Sequence, residues 1–315
     1  MANPIEPQWP ELPYDAWRAT RDTLQLWTQV IGKIRLMQTP WLNHSWHVTL
    51  YVTPRGLTTS PIPHGTRCFE VAFDFPGAAL DITVSDGSCR RLPLRPQSVA
   101  DFYGAVMSAL AELGVAVAIN DKPCEIAGAT PFALDRQHAE YDADYARRFW
   151  QVLVQSDRVF KQFRTGFIGK CSPVHFFWGS FDLAVTRFSG RRAPAFTGHA
   201  PGVSPAVMRE AYSHEVSSAG FWPGGNGADY PAFYSYAYPV PAAMRDARVQ
   251  PAAAFFSEPL GEFLLPYDAV RTATDPDAVL LAFLQSTYEA AATTAQWDRD
   301  ALECRPGRPN VAREV

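Results

Sequence analysis

The densest run of reactive residue types in this chain is Tyr212-Ser213-His214-Glu215. A histidine beside a carboxylate can move a proton, because the carboxylate raises the basicity of the imidazole and holds its orientation. In an extended strand, however, neighbours point to opposite faces, so His214 and Glu215 address one substrate only where the strand bulges. The plainer alternative hydrogen-bonds His214 in the core and pairs Glu215 with an arginine. His47 and Asp182 make a second candidate pair, in the segments Ser45-Trp46-His47-Val48-Thr49-Leu50 and Ser180-Phe181-Asp182-Leu183-Ala184-Val185, whose apolar positions match in phase. If those segments are related by a pseudo-twofold, His47 and Asp182 face each other across a shared cleft; otherwise they belong to a wet sheet surface.

Binding chemistry is suggested by aromatic and cationic residues close in sequence. Tyr234, Tyr236 and Tyr238 alternate along one segment and form a stripe on one strand face, with Trp178 and Trp222 nearby. Such a stripe is commonly a covered sheet face, yet an aromatic wall with a few convergent polar groups also makes a small-molecule pocket. Arg187 and Arg191, with Arg55 from the first half, are the candidate clamp for an anionic or planar ligand. His175, on a face shared with Phe177 and Phe181, reads as a satisfied core histidine. His44 and His47 lie three apart without a completing ligand, which suits no metal site. Gly224-Gly225-Asn226-Gly227 lacks both the Walker lysine and the dinucleotide-binding spacing, so it reads as a turn. No G-x-S-x-G elbow is present. Neither a metal nor a cofactor is expected.

Composition narrows the class further. The chain has 315 residues, 47% of them hydrophobic, and a formal charge of −4. A core of that size is ample for a globular fold, and the interspersed charges offer no basic field for nucleic acid. No apolar run reaches the ~20 residues of a spanning helix. The start of the chain has no signal-peptide pattern. Five cysteines are scattered without a C-x-x-C pair, as expected of reduced thiols in a cytoplasmic protein.

The elements that must position these groups follow from periodicity. Helices are expected from near Asp15, after Ser98, after Ser204-Pro205 and after Asp275-Pro276, each opened by a residue suited to a helix start, and from Tyr141 to Arg164. Strands are expected from Ser45, at Phe69–Phe75, Leu80–Val84, Val115–Ile119, Val174–Arg187, His214–Trp222, Ala232–Tyr238 and Glu262–Tyr267. Residues 120–137 hold two prolines and no sustained period, and so mark a joint. Ile31-Gly32-Lys33 and Ile168-Gly169-Lys170 each follow an aromatic helical stretch. The expected fold is therefore α+β: two fused duplicated units, 1–125 and 126–315, each an antiparallel sheet backed by helices, packed as one body.

Several longer phrases are distinctive, among them Gly56-Leu57-Thr58-Thr59-Ser60-Pro61-Ile62-Pro63, Thr186-Arg187-Phe188-Ser189-Gly190-Arg191 and Tyr212-Ser213-His214-Glu215-Val216-Ser217-Ser218. In these the chain resembles a bacterial family catalogued as domain of unknown function number 5996, over about Trp9 to Trp297. The resemblance implies a single full-length unit and supplies no activity. From the residues, the leading expectation is a cleft between the repeats that binds a small anionic or aromatic organic ligand. The runner-up is a metal-independent acid/base enzyme, hydrolase or lyase, using His47 or His214 with Asp182 or Glu215. A third is a structural or interaction protein.

Overall fold

The computed structural model describes residues 8–225, 228–308 and 310–313. Helix α1 (Tyr14–Gln38) is buried almost all the way round, so it lies inside the molecule rather than on it. Its aromatic residues reach in several directions. Trp17 packs on Phe149, and Trp27 stacks on Phe102 with ring centroids 4.6 Å apart. Strands β1 (Tyr51–Thr53), β2 (Gly56–Thr58), β3 (Ile62–His64), β4 (Arg67–Asp74), β5 (Ala79–Val84) and β6 (Cys89–Pro93) then form an antiparallel sheet in the order β1-β2-β4-β5-β6, with β3 also paired to β4. Phe69, Val71 and Phe73 put one face of β4 into the core, as their alternation requires. Helix α2 (Val99–Glu112) covers this sheet's far end, and Ser98 caps it by accepting from the Asp101 backbone N–H.

The second half begins with α3 (Ala143–Arg164), capped by Asp142. Strands β7 (His175–Phe177) and β8 (Asp182–Arg192) follow, then α4 (Pro205–Ala211), β9 (His214–Trp222), β10 (Ala232–Tyr238), β11 (Phe255–Ser257) and β12 (Glu262–Pro266). These strands form a second antiparallel sheet, ordered β11-β12-β10-β9-β8-β7. The short α5 (Tyr267–Arg271), the long α6 (Pro276–Thr294) and α7 (Arg299–Leu302) complete the described helices. One face of the second sheet, with Leu183, Val185, Phe221 and Phe233, packs on α3 and α6. The opposite face carries Asp182, Thr186, Ser218, Tyr234 and Tyr236, as the cross-strand pairs require. A pair of hydrogen bonds between Leu50 and Phe176 (2.9 and 2.7 Å) joins the two sheets at β1 and β7.

The architecture is thus a mixed α/β fold with two antiparallel sheets. Several sequence expectations need correction. Residues 45–50 are not a strand: a 3-10 turn, Asn43–Ser45, precedes them, with His44 and Ser45 both in the left-handed region at φ 59° and 57°. The apparent alternation there arises because these side chains pack into an irregular corner. The expected strand Val174–Arg187 is a hairpin, with a turn between β7 and β8 and Phe181 at φ 63°. Val115–Ile119 is irregular. Ile31-Gly32-Lys33 lies within α1, which runs on to Gln38, whereas Ile168-Gly169-Lys170 lies in a loop, so the two triplets do not occupy matching places. Asn226 and Gly227 of the glycine-rich loop lie outside the described residues.

Candidate functional site

A polar stripe on the buried α1 organises the main cavity. Residues one helical turn apart share a face, and Gln25, Gln29 and Lys33 are spaced in that way. Gln25 donates to the Gly179 carbonyl at 2.8 Å. Gln29 holds Cys124 by both backbone groups: its side-chain nitrogen donates to the Cys124 carbonyl and its oxygen accepts from the Cys124 N–H, each at 2.9 Å. Lys33 follows on the cavity wall. Two irregular segments distant in sequence, 124–125 and 178–180, are therefore fastened to one helix face. On its neighbouring face Gly32 admits the Trp178 indole, which would lie 2.2 Å from a Cβ at that position. The indole N–H donates to the Val48 carbonyl at 2.7 Å.

The cavity, about 370 Å³, lies between this assembly and the outward face of the second sheet. Its floor is Asp182, Ala184, Thr186 and Phe188 of β8, Val216 and Ser218 of β9, and Tyr234 and Tyr236 of β10. Its roof comes from α4 through Val207, Met208 and Ala211, and from the corner bearing Trp41, His44 and Trp46. Trp41 donates to the Glu210 carboxylate at 2.8 Å, tying that corner to α4. Both halves of the chain thus line the cavity.

Its acidic end has an unusual charge balance. Asp182 accepts hydrogen bonds from the Ser180 and Tyr234 hydroxyls. Burial nevertheless outweighs those bonds and pushes its pKa up. Burial, assisted by Asp182, raises Glu125 to about 7 and likewise Glu262 to about 7. The carboxylate of Glu125 can lie there because Gly179 has no Cβ; one would meet Oε1 at 2.0 Å. Burial also raises the Tyr234 and Tyr236 hydroxyls well above the ordinary phenol range, so both stay protonated. The Tyr236 and Tyr212 hydroxyls are 3.1 Å apart, and Thr186 and Ser218 hydroxyls 2.8 Å apart. This end offers a hydrogen-bonded set of acids and hydroxyls.

One cation lines the other walls and a second lies behind them at His44. Lys33 is nearly buried, and burial lowers its pKa. Lys170 Nζ lies 2.6 Å from His44 Nε2, while His44 Nδ1 lies 3.0 Å from the Ala211 carbonyl. That geometry assigns the ring proton to Nδ1 and leaves Nε2 to accept from the ammonium. Burial lowers the His44 pKa, with Lys170 adding to the effect, so the imidazole is neutral. Cys124 also touches the cavity, but burial raises its thiol to about 11, which rules out an active thiolate near neutrality.

Of the residues singled out from sequence, Asp182, Trp178, Tyr234 and Tyr236 meet in this cavity. The others are placed elsewhere. His47 is buried against Trp41, with Nδ1 3.2 Å from the Leu42 carbonyl, and does not face Asp182. His214 begins β9 with Nδ1 3.1 Å from the Ser213 hydroxyl, its ring centroid 6.1 Å from that of His44. Glu215 points to the other side of the strand and pairs with Arg191 at 2.6 Å. Arg55 is exposed and pairs with Asp74 at 2.6 Å. Trp222 ends β9 away from the cavity lining. Arg187 lies on the core face of β8, its guanidinium over Phe163, Tyr288 and Phe167 at 3.5, 4.3 and 5.0 Å and donating to the Phe163 carbonyl at 2.5 Å. Strand parity separates it from Asp182: the two are an odd number of residues apart and point to opposite faces. Glu125, Lys33, His44 and Tyr212 were not foreseen in the site. The α1 stripe was a readable signal for Lys33; Glu125, in an aperiodic joint, had none.

No curated protein and no solved structure matches the chain. The model of a family of unknown function, DUF5996, matches residues 9–304, nearly the whole length, and the chain belongs to that family.

Proposed function

We propose that this protein binds a small organic molecule in the cavity between α1, α4 and the outward face of the second sheet. One observation carries the reading: a cavity of about 370 Å³ combines aromatic and aliphatic walls with a few convergent polar groups, the usual composition of a ligand site. The reading treats 1–125 and 126–315 as copies of one helix-sheet-helix unit, with the ligand where they meet. Its polar contacts come from Asp182, Glu125 and the tyrosines, and from Lys33, rather than from an arginine clamp.

The test is native mass spectrometry of the gently purified protein alongside Ala184→Phe, which fills the cavity floor. A bound small molecule in the wild type and none in the variant is the expected result. No bound molecule, and no thermal shift with any small aromatic probe, defeats the reading.

A second reading, metal-independent acid/base catalysis, has its own observation: burial and the neighbouring Asp182 push Glu125 up to about 7, where a general acid or base works well. On this reading the pair replaces the histidine-based pairs expected from sequence. A rate profile governed by an ionisation near 7 and abolished by Glu125→Gln would support it.

A further inference from the structure

We propose that the cavity takes a zwitterionic organic molecule, with an ammonium group at one end, an acid group at the other and an apolar or aromatic body between. The proposal rests on the small-molecule reading above and names its ligand class. What carries it is a pair of unpartnered ionisable side chains in one cavity. Lys33 is only 7% exposed and lines the wall, yet its ammonium has no ion pair or hydrogen bond among the described residues. Cys124 and, less strongly, Asp121 act on it through space without pairing. Glu125 likewise has no partner for its carboxylate among the described residues. Asp182, by contrast, has both oxygens engaged, one by Ser180 and one by Tyr234.

Lys33 is buried and Glu125 half-buried; a charge shielded from water and left unpaired is costly, so each of these groups is poised for an opposite charge from outside. No ion pair joins them among the described residues, although both act on the Cys124 thiol through space. Among the described residues no ion pair engages Glu125, Asp182 or Glu262; Asp182 accepts from two hydroxyls and acts on both glutamates. Lys170, the other cation near the cavity, is already engaged with His44. An anionic ligand therefore meets Lys33 and leaves the acidic end unmatched; a simple amine does the reverse. Only a molecule bearing both charges at separated ends satisfies both. Among the described residues no three His, Cys, Asp or Glu side chains are arranged to hold a metal, and the cation proposed for the acidic end is an organic ammonium. Phe177, Trp178 and Tyr234 flank that end, and aromatic faces add attraction for an ammonium and for a planar body.

Isothermal titration of the full chain near neutral pH, with four probes of one shape, tests this. They are 4-(aminomethyl)phenylacetate, 4-methylbenzylamine, 4-methylphenylacetate and the uncharged 4-methylbenzyl alcohol. The zwitterion is expected to bind at least about tenfold more tightly than any of the others, the scale of one additional matched charge. Glu125→Gln should weaken the zwitterion and the amine but not the acid; Lys33→Met should weaken the zwitterion and the acid but not the amine. The wild-type ranking decides even where a variant fails to fold. If a singly charged or neutral probe equals or exceeds the zwitterion and Ala184→Phe still abolishes its binding, the ligand class is wrong and the cavity reading survives. If none of the four binds and native spectra show no bound molecule, both fall.

Discussion

At the residue scale, two buried ionisable groups make opposite demands on pH. Glu125 has its folded-state pKa raised from 4.5 to about 7, so between those values the folded state holds more protons than the unfolded one. Stability must then fall as pH rises from 4.5 to about 7, and level off above. Glu125→Gln is expected to flatten that part of a melting-temperature profile and to melt higher than wild type at pH about 8. An unchanged slope would mean that Glu125 is solvated. His175 runs the other way. It is fully buried beside Phe177, and neither ring nitrogen has a hydrogen-bond partner, which departs from the satisfied core histidine expected. Burial lowers its pKa from 6.5 to about 3, so the unfolded state takes up a proton first and stability is lost as pH falls from 6.5 to about 3. His175→Phe should leave neutral-pH stability within about 1 kcal/mol and reduce acid sensitivity, because it removes unsatisfied polar atoms while keeping volume. A loss of several kcal/mol on denaturant titration would show that a partner for the ring had been missed.

At the element scale, the argument concerns how tightly α1 and β8 are committed to their neighbours. Within a helix, Gly→Ala ordinarily gains up to about 1 kcal/mol. At Gly32 a Cβ would lie 2.2 Å from the Trp178 ring, and forced overpacking costs about 1–3 kcal/mol. The steric term wins, so Gly32→Ala should lower the denaturant midpoint and change Trp178 fluorescence. Unchanged stability and spectrum would mean that the indole has another place to go. On β8, Arg187→Ala empties the space between Phe163 and Tyr288 and removes a bond to the Phe163 carbonyl. A loss of about 3 kcal/mol or more is expected by analogy with large-to-small core changes, in contrast to the ligand role that its neighbourhood in sequence suggested. Stability equal to wild type would return Arg187 to the list of candidate ligand contacts.

At the scale of the whole molecule, one continuous core runs through both halves, from Trp27 and Phe102 to Phe233 and Tyr288. The Leu50–Phe176 bonds and the Gln29–Cys124 pair cross between segments far apart in the chain. Cutting at the joint would strip α1 of partners on one side. The chain is therefore expected to unfold in a single cooperative transition, with calorimetric and van't Hoff enthalpies equal, and a fragment 1–125 should not fold alone. Two resolved transitions would show that the halves are independent.

Periodicity made much of this fold readable. The ends of β9 and β10, and the caps at Ser98, Ser204 and Asp275, are local properties: alternation marks strands, and side-chain oxygens satisfy the free N–H groups of a helix start. Parity along β8 even separates Asp182 from Arg187 before any coordinates. Two members of the tyrosine stripe, Tyr234 and Tyr236, do form part of the cavity floor. What only the tertiary structure decided is which segments close over that floor. The corner at His44 and Ser45 mimics alternation while its backbone is left-handed, and Glu125 reaches the site through bonds made 95 residues away in sequence. Local pattern records how a residue relates to its own element. The cavity depends on contacts between irregular loops and a distant helix, which carry no period and are settled only when the core packs.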